Sequence, residues 1–174
     1  MRTKVRASRT NLVLIGMPGA GKSTIGVLLA KTLAKDFIDT DVLMQRRAGC
    51  NLQQIIDERG YAALCQLERE VLRDLQCEHT VIATGGSAIY ATDAMQKLKK
   101  SSLVVFIDVP LAELRERIHN MDSRGIVQKP GQDFAALFQE RWTLYSELAD
   151  ITIHAGAHSQ ESVLALIIDA LSTT

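Results

Sequence analysis

The chain has 174 residues, 47% of them hydrophobic, and its 20 basic residues balance 20 acidic ones. That size and balance describe one globular domain with a buried core, and they exclude a second independent domain and an extended basic surface for nucleic acid. No apolar run approaches the ~20 residues of a membrane helix, and the run at residues 11–15 is too short for a signal-peptide core, so a cytoplasmic protein with no membrane or nucleic-acid partner is expected.

Residues 1–10 form a basic tail, with Arg2, Lys4, Arg6 and Arg9, read as a short solvated extension. The apolar run that follows predicts a strand at Leu12 to Ile15. Next comes Gly16-Met17-Pro18-Gly19-Ala20-Gly21-Lys22-Ser23, which fits the phosphate-binding spacing G-x-x-x-x-G-K-[S/T] at every fixed position. A helix with apolar residues at helical spacing follows from Thr24 to Lys35. Strand, glycine loop and helix form the setting that this motif needs.

Each position in the loop has a physical task. Gly16, Gly19 and Gly21 permit backbone conformations that turn successive N–H groups toward phosphate oxygens. Lys22 adds a mobile positive charge, and the helix start directs its dipole and free N–H groups to the same place. The Ser23 hydroxyl is suited to ligate Mg²⁺. Gly16, Gly19, Ala20, Gly21, Lys22, Ser23 and Thr24 are therefore the candidate contacts for ATP.

Further strands are predicted at Phe37 to Asp39, Thr80 to Ala83, Leu103 to Ile107 and Ile151 to Ile153, from β-branched and aromatic residues. Asn51 is read as the N-cap of a helix from Leu52 to Arg59. Gly60 interrupts it, and a second helix runs from Ala62 to Leu75 with Leu64, Leu67, Val71 and Leu75 on one stripe. Thr92 is expected to cap a helix through Leu98, and Pro110 to sit in the first turn of one reaching about His119. Val163, Leu164, Ile167 and Leu171 form the apolar face of a final helix. The alternation of strand and helix implies an α/β fold, a parallel sheet covered on both faces with ligands beyond the carboxyl ends of the strands.

Residues Asn120 to Gln132 break the alternation with two glycines, a proline and no period. They are read as a lid that excludes water from a transferring phosphoryl group, with Arg124 arriving to stabilise transition-state charge. Cys50, Cys65 and Cys77 lack metal spacing and an even pairing, so they read as reduced thiols. His79, His119, His154 and His158 are scattered without ligand neighbours.

Beyond the phosphate loop, the chain carries F-I-D-T-D at Phe37 to Asp41, T-G-G at Thr84 to Gly86, R-E-R-I around Arg117, the lid residue Arg124, and R-W-T-L-Y at Arg141 to Tyr145 followed by Ala149-Asp150. In this order and spacing the chain resembles the shikimate kinase family over nearly its whole length. The resemblance implies a P-loop, nucleoside-monophosphate-kinase-like fold with a five-stranded parallel sheet. It also implies transfer of the ATP γ-phosphate to a hydroxyl of a small carboxylic acid.

The resemblance assigns Lys22 to the β- and γ-phosphates, Ser23 to Mg²⁺ and Asp39 to the metal's surroundings. Asp41 would orient the acceptor hydroxyl or take its proton, and Gly85 and Gly86 would present backbone N–H groups to the acceptor. Arg117 would lie near the adenine, Arg124 would reach the phosphates from the lid, and Arg141 would grip the acceptor carboxylate. Read without the family, Asp39 and Asp41 are also candidates to cap the next helix, and Arg141 to pair on the surface with Glu140 or Glu147.

The chain departs from the family pattern on the acceptor side. Where the family carries G-E-x-x-F-R, this chain has Gly60-Tyr61-Ala62-Ala63-Leu64-Cys65, so a second carboxylate-gripping arginine is replaced by Cys65 while Glu68 is kept. Ser87 stands for the third glycine after T-G-G, Arg124-Gly125-Ile126-Val127 for R-P-L-L in the lid, and Thr143 for the proline before the L-Y pair. The expected protein is thus a monomeric Mg²⁺- and ATP-dependent kinase of a small acceptor, shikimate or a different one. A sugar-acid or nucleoside kinase and a nucleotide-binding regulator with a vestigial acceptor site remain as alternatives.

Overall fold

A computed structural model describes residues 9–118 and 131–173. Five strands, β1 (Asn11–Ile15), β2 (Asp36–Asp39), β3 (Thr80–Ala83), β4 (Ser102–Asp108) and β5 (Ile151–His154), form one sheet in the order β2-β3-β1-β4-β5. Every pairing is parallel, as the alternation of elements predicts. All of β1 and β3 is buried, and since successive side chains point to opposite faces, helices must cover both sides. The edge strands β2 and β5 are only partly covered.

The helices are α1 (Lys22–Leu33), α2 (Thr40–Ala48), α3 (Leu52–Asp74), α4 (Thr92–Lys99), α5 (Leu111–Arg117), α6 (Phe134–Leu148) and α7 (Gln160–Ser172), with a 3-10 turn at Ala88–Tyr90. Asn51 caps α3 as expected, in a reciprocal capping box with Gln54. Gly60 breaks α3 with φ 80° and ψ 169°, a conformation that favours glycine.

Three local expectations need correction. Helix α2 was not foreseen, because its apolar residues Val42, Leu43 and Met44 are consecutive and only Met44 is fully covered, so no helical stripe exists to read. What makes it a helix is its ends: Asp39 accepts from the Asp41 and Val42 N–H groups, and Gly49 closes it with φ 72°. Thr92 does not cap α4; it is the first helical residue, and Ala91 takes the cap position without a side-chain bond. Pro110 is likewise the N-cap of α5, with ψ 145°, one residue outside the first turn.

The main core joins the sheet to α1, α4, α6 and α7 through residues such as Leu14, Phe106, Leu29, Met95, Tyr145 and Ile167. A smaller cluster, Met44, Ile55, Ile56, Leu64 and Val71, holds α2 against α3. Full burial of each such aliphatic side chain contributes roughly 1.5–3 kcal/mol. This second cluster sets α2 and α3 beside the carboxyl ends of β1, β2 and β3, where the cavity lies.

Candidate active site

The phosphate loop leaves β1 with Gly16 at φ 147°, Gly19 at φ 82° and Gly21 at φ 90°. Gly16 is required for space as well: a Cβ there would stand 2.6 Å from the Ile107 carbonyl oxygen. Lys22 arches back over the loop, its Nζ donating to the carbonyls of Gly16 at 2.8 Å and Met17 at 2.9 Å. Burial lowers its pKa to about 8, with the Asp41 charge pulling the other way.

Ser23 Oγ donates to Asp39 Oδ2 at 2.6 Å, while Asp39 Oδ1 accepts from the Asp41 N–H at 2.9 Å. Asp39 therefore acts as helix cap and partner of the loop serine together, and the two readings of this residue do not compete. Asp41, in the first turn of α2, has its carboxyl pKa raised by burial and by Asp39. Its Oδ1 lies 2.9 Å from where a Cβ on Gly85 would stand.

Gly85 and Gly86 follow β3. The Gly85 N–H donates to Thr40 Oγ1 at 3.2 Å, and Gly85 lines the cavity. Gly86 is pinned through its carbonyl by the Tyr145 hydroxyl at 2.6 Å. A Cβ on Gly86 would meet Pro18 at 2.7 Å and Arg141 Nη1 at 3.0 Å, which explains the glycine.

Arg141 is fully buried, which removes the surface ion-pair reading. Its guanidinium lies 5.4 Å from the centre of the Tyr90 ring, and its Nε donates to the Tyr90 hydroxyl at 3.5 Å. Tyr90 in turn donates to Glu140 Oε1 at 2.7 Å, and Gln132 Nε2 donates to Glu140 Oε2 at 3.0 Å. Arg117 pairs with Glu113 at 3.1 Å, one turn back on α5.

One cavity of about 570 Å³ brings together Gly19, Gly21, Lys22, Ser23 and Thr24 of the loop region and, with them, Asp41, Gly85, Gly86, Arg117 and Arg141. Ala20 lines an adjoining cavity of about 380 Å³, where Arg117 meets His158, Ser159 and Gln160. Gly16 lines neither, and Asp39 reaches the site through Ser23. Arg124 and most of the expected lid lie outside the described residues.

Sequence reading missed Tyr90, His158 and Gln160, which belong to no spaced motif, and Thr40, which sits inside F-I-D-T-D but between the two aspartates that drew the reading. Glu68 is 1% exposed and hydrogen-bonded through Oε2 to Ser87 Oγ; burial pushes its pKa up to about 7, against the pull of that bond. Burial, and secondarily the Glu68 charge, raises the pKa of the neighbouring Cys65 thiol.

A phosphate loop between the central strand and α1, facing the Asp41 carboxylate and a buried arginine across one cavity, defines a P-loop ATP-dependent phosphotransferase that acts on a hydroxyl group. Its fold is shared with a thymidylate kinase from Candida albicans, at TM-score 0.57 and 14% identity. The shikimate kinase family model matches residues 18–172, and the chain belongs to the shikimate kinase family.

Shikimate kinase of Methylococcus capsulatus is 36% identical over 166 residues, covering 94% of this chain and 93% of that protein. That of Nitrosomonas europaea is 37% identical over 164 residues, covering 92% of this chain and 78% of the other. Among solved structures, shikimate kinase from Acinetobacter baumannii in complex with shikimate superposes with a TM-score of 0.87 at 29% identity, covering 98% of this chain and 97% of its own. The Aquifex aeolicus shikimate kinase gives 0.81 at 36% identity, covering 93% and 96%.

Proposed function

We propose that this chain transfers the ATP γ-phosphate to a hydroxyl of a small carboxylate-bearing acceptor. The observation that carries the reading is that Asp41 and the buried Arg141 share one cavity with Lys22 and the phosphate loop.

In this reading the loop amides cradle the phosphates, and Lys22 exchanges its carbonyl partners for the β- and γ-phosphates, regaining the charge stabilisation that burial removes. Arg117 lies beside the base. Asp41 orients the acceptor hydroxyl and takes its proton onto a carboxylate oxygen as the phosphorus–oxygen bond forms; its raised pKa makes it the better base. Arg141 holds the acceptor carboxylate by charge-assisted hydrogen bonds, with Gly85 and Gly86 packed beneath the acceptor. Arg124 is assigned to the phosphates, from a lid near residues 120–132.

Ser23 Oγ and Asp39 Oδ2, 2.6 Å apart, are a hard all-oxygen pair that suits Mg²⁺, with Asp39 acting through water. When bound, the ion neutralises charge on the β- and γ-phosphates. Residues 11–174 are read as one P-loop domain in a cytoplasmic monomer. No helix among the described residues is long and apolar enough to cross a membrane.

A coupled ADP-release screen across small hydroxy acids, shikimate included, tests the proposal. Acceptor-dependent turnover with at least one acid is expected. Tight ATP binding without any such turnover overturns the kinase reading in favour of a nucleotide-binding regulator.

A further inference from the structure

Position 65 lies one helical turn before Glu68 on α3, so the two side chains share a face. Cys65 leaves Glu68 without a cation at that spacing. Glu68 Oε2 accepts from Ser87, but Oε1 is buried and has no hydrogen-bond partner among the described residues. A buried carboxylate oxygen without a partner is costly, and a ligand that supplies a donor relieves that cost.

The surroundings give the ligand a shape. A cleft of about 360 Å³, lined by Cys65, Glu68, Ser87 and Tyr90, adjoins the main cavity at Ser87, which lines both. Glu68 Oε1 stands 2.5 Å from the Cβ position of Gly85, and Arg141 Nη1 stands 3.0 Å from that of Gly86. The two groups flank consecutive glycines of the chain and each feels the other's charge, so an anion acceptor and a cation donor face the same stretch of backbone.

We infer that the acceptor carries, next to the carboxylate held by Arg141, a hydrogen-bond donor, hydroxyl or ammonium, that docks on Glu68. The substrate class is then an α-hydroxy or α-amino acid that also bears the phosphorylated hydroxyl. This inference rests on the kinase reading for its carboxylate, and it deepens that reading by making Glu68 a specificity-determining residue. The raised Glu68 pKa accords with a carboxylate that awaits a donor.

Calorimetric titration in the presence of ADP and Mg²⁺ tests this with three probes: ring-saturated shikimate, the same acid with a hydroxyl on the carboxylate-bearing carbon, and the same acid with an amino group there. The substituted acids should bind the wild-type protein at least ten-fold more tightly than the unsubstituted one. Glu68→Met should bring that ratio near one. Glu68→Gln should keep the preference for the hydroxyl, because its amide oxygen still accepts, and lose that for the amino group. ADP affinity reports that each variant is folded.

Equal binding of all three probes to the wild-type protein, no binding of any at millimolar concentration, or an unchanged ratio in both Glu68 variants overturns the inference. ADP release measured alongside separates the two claims. Turnover without preference sustains the kinase and removes the subsite, whereas preferential binding without turnover sustains the subsite and removes the kinase.

Discussion

The Tyr145 hydroxyl donates to the Gly86 carbonyl at 2.6 Å, from a side chain that is fully buried with its ring 5.0 Å from Phe106. The bond ties α6 to the glycine strip after β3 that lines the cavity, and α6 also carries Arg141. Tyr145→Phe removes the donor and leaves the Gly86 carbonyl without it, at a cost of about 1–3 kcal/mol. Urea unfolding should show that loss, and steady-state kinetics a higher KM for the acceptor with the KM for ATP little changed. Unchanged acceptor KM would mean that the bond serves only the core.

Lys22→Ala should lower turnover by orders of magnitude. The substitution removes the positive charge held over the loop by the Gly16 and Met17 carbonyls, and phosphoryl transfer depends on charge stabilisation. Near-normal ADP release by the variant would sink the site assignment.

Asp41→Asn should leave ATP affinity close to wild type while cutting phosphoryl transfer by two or more powers of ten, on the order expected for loss of a general base. The motive is the position of Asp41 in the first turn of α2, against Gly85 and on the cavity wall. Calorimetry with an ATP analogue distinguishes the outcomes: a collapse of nucleotide affinity instead of turnover reassigns Asp41 to the nucleotide side.

Stability should fall as pH rises from about 5 to about 8. Glu68 has a pKa of about 7 in the fold against 4.5 in an open chain, so the folded state binds its proton more tightly. Its contribution is complete below 4.5 and is lost as pH climbs through about 7. The whole difference is on the order of 3 kcal/mol. Burial is the main cause, with the Ser87 hydrogen bond opposing it, Asp41 adding to it, and Arg141 and Lys22 reducing it. Urea unfolding of wild type and Glu68→Gln at pH 5 and pH 8 isolates the effect, which should vanish in the variant.

Shikimate should be a poor acceptor for the wild-type protein. Cys65 stands where the family resemblance places a carboxylate-gripping arginine; a hydrogen bond from arginine to carboxylate contributes roughly 1.5–3 kcal/mol, so its absence should weaken shikimate binding by about one to two powers of ten. Cys65→Arg should recover part of that affinity, with Glu68 one turn away to hold the guanidinium. Saturation kinetics decide: a wild-type Michaelis constant for shikimate in the low micromolar range contradicts the prediction.

The sequence by itself determined the five strands and the phosphate loop, because their signals are local. An apolar run such as Leu12 to Ile15 must be buried wherever it goes, and Gly16, Gly19, Gly21 and Lys22 act within one turn of chain. The ends of α2 were equally local, yet their meaning was not: Asp39 reads as a cap or a site residue, and only folding, which brings Ser23 within 2.6 Å, makes the cap also the partner of the loop serine.

Arg141 is the plainest case of a residue decided by tertiary structure. On sequence it pairs with a neighbouring glutamate as readily as it lines a site, and its burial against Tyr90 and Gly86 comes from packing between α6 and the loop after β3. The same holds for the pairing of Glu68 with Ser87 and for the engagement of the Gly85 amide by Thr40. Contacts between distant segments depend on how the elements stack, and the residue patterns within each element encode which face is buried but not which side chain waits across it.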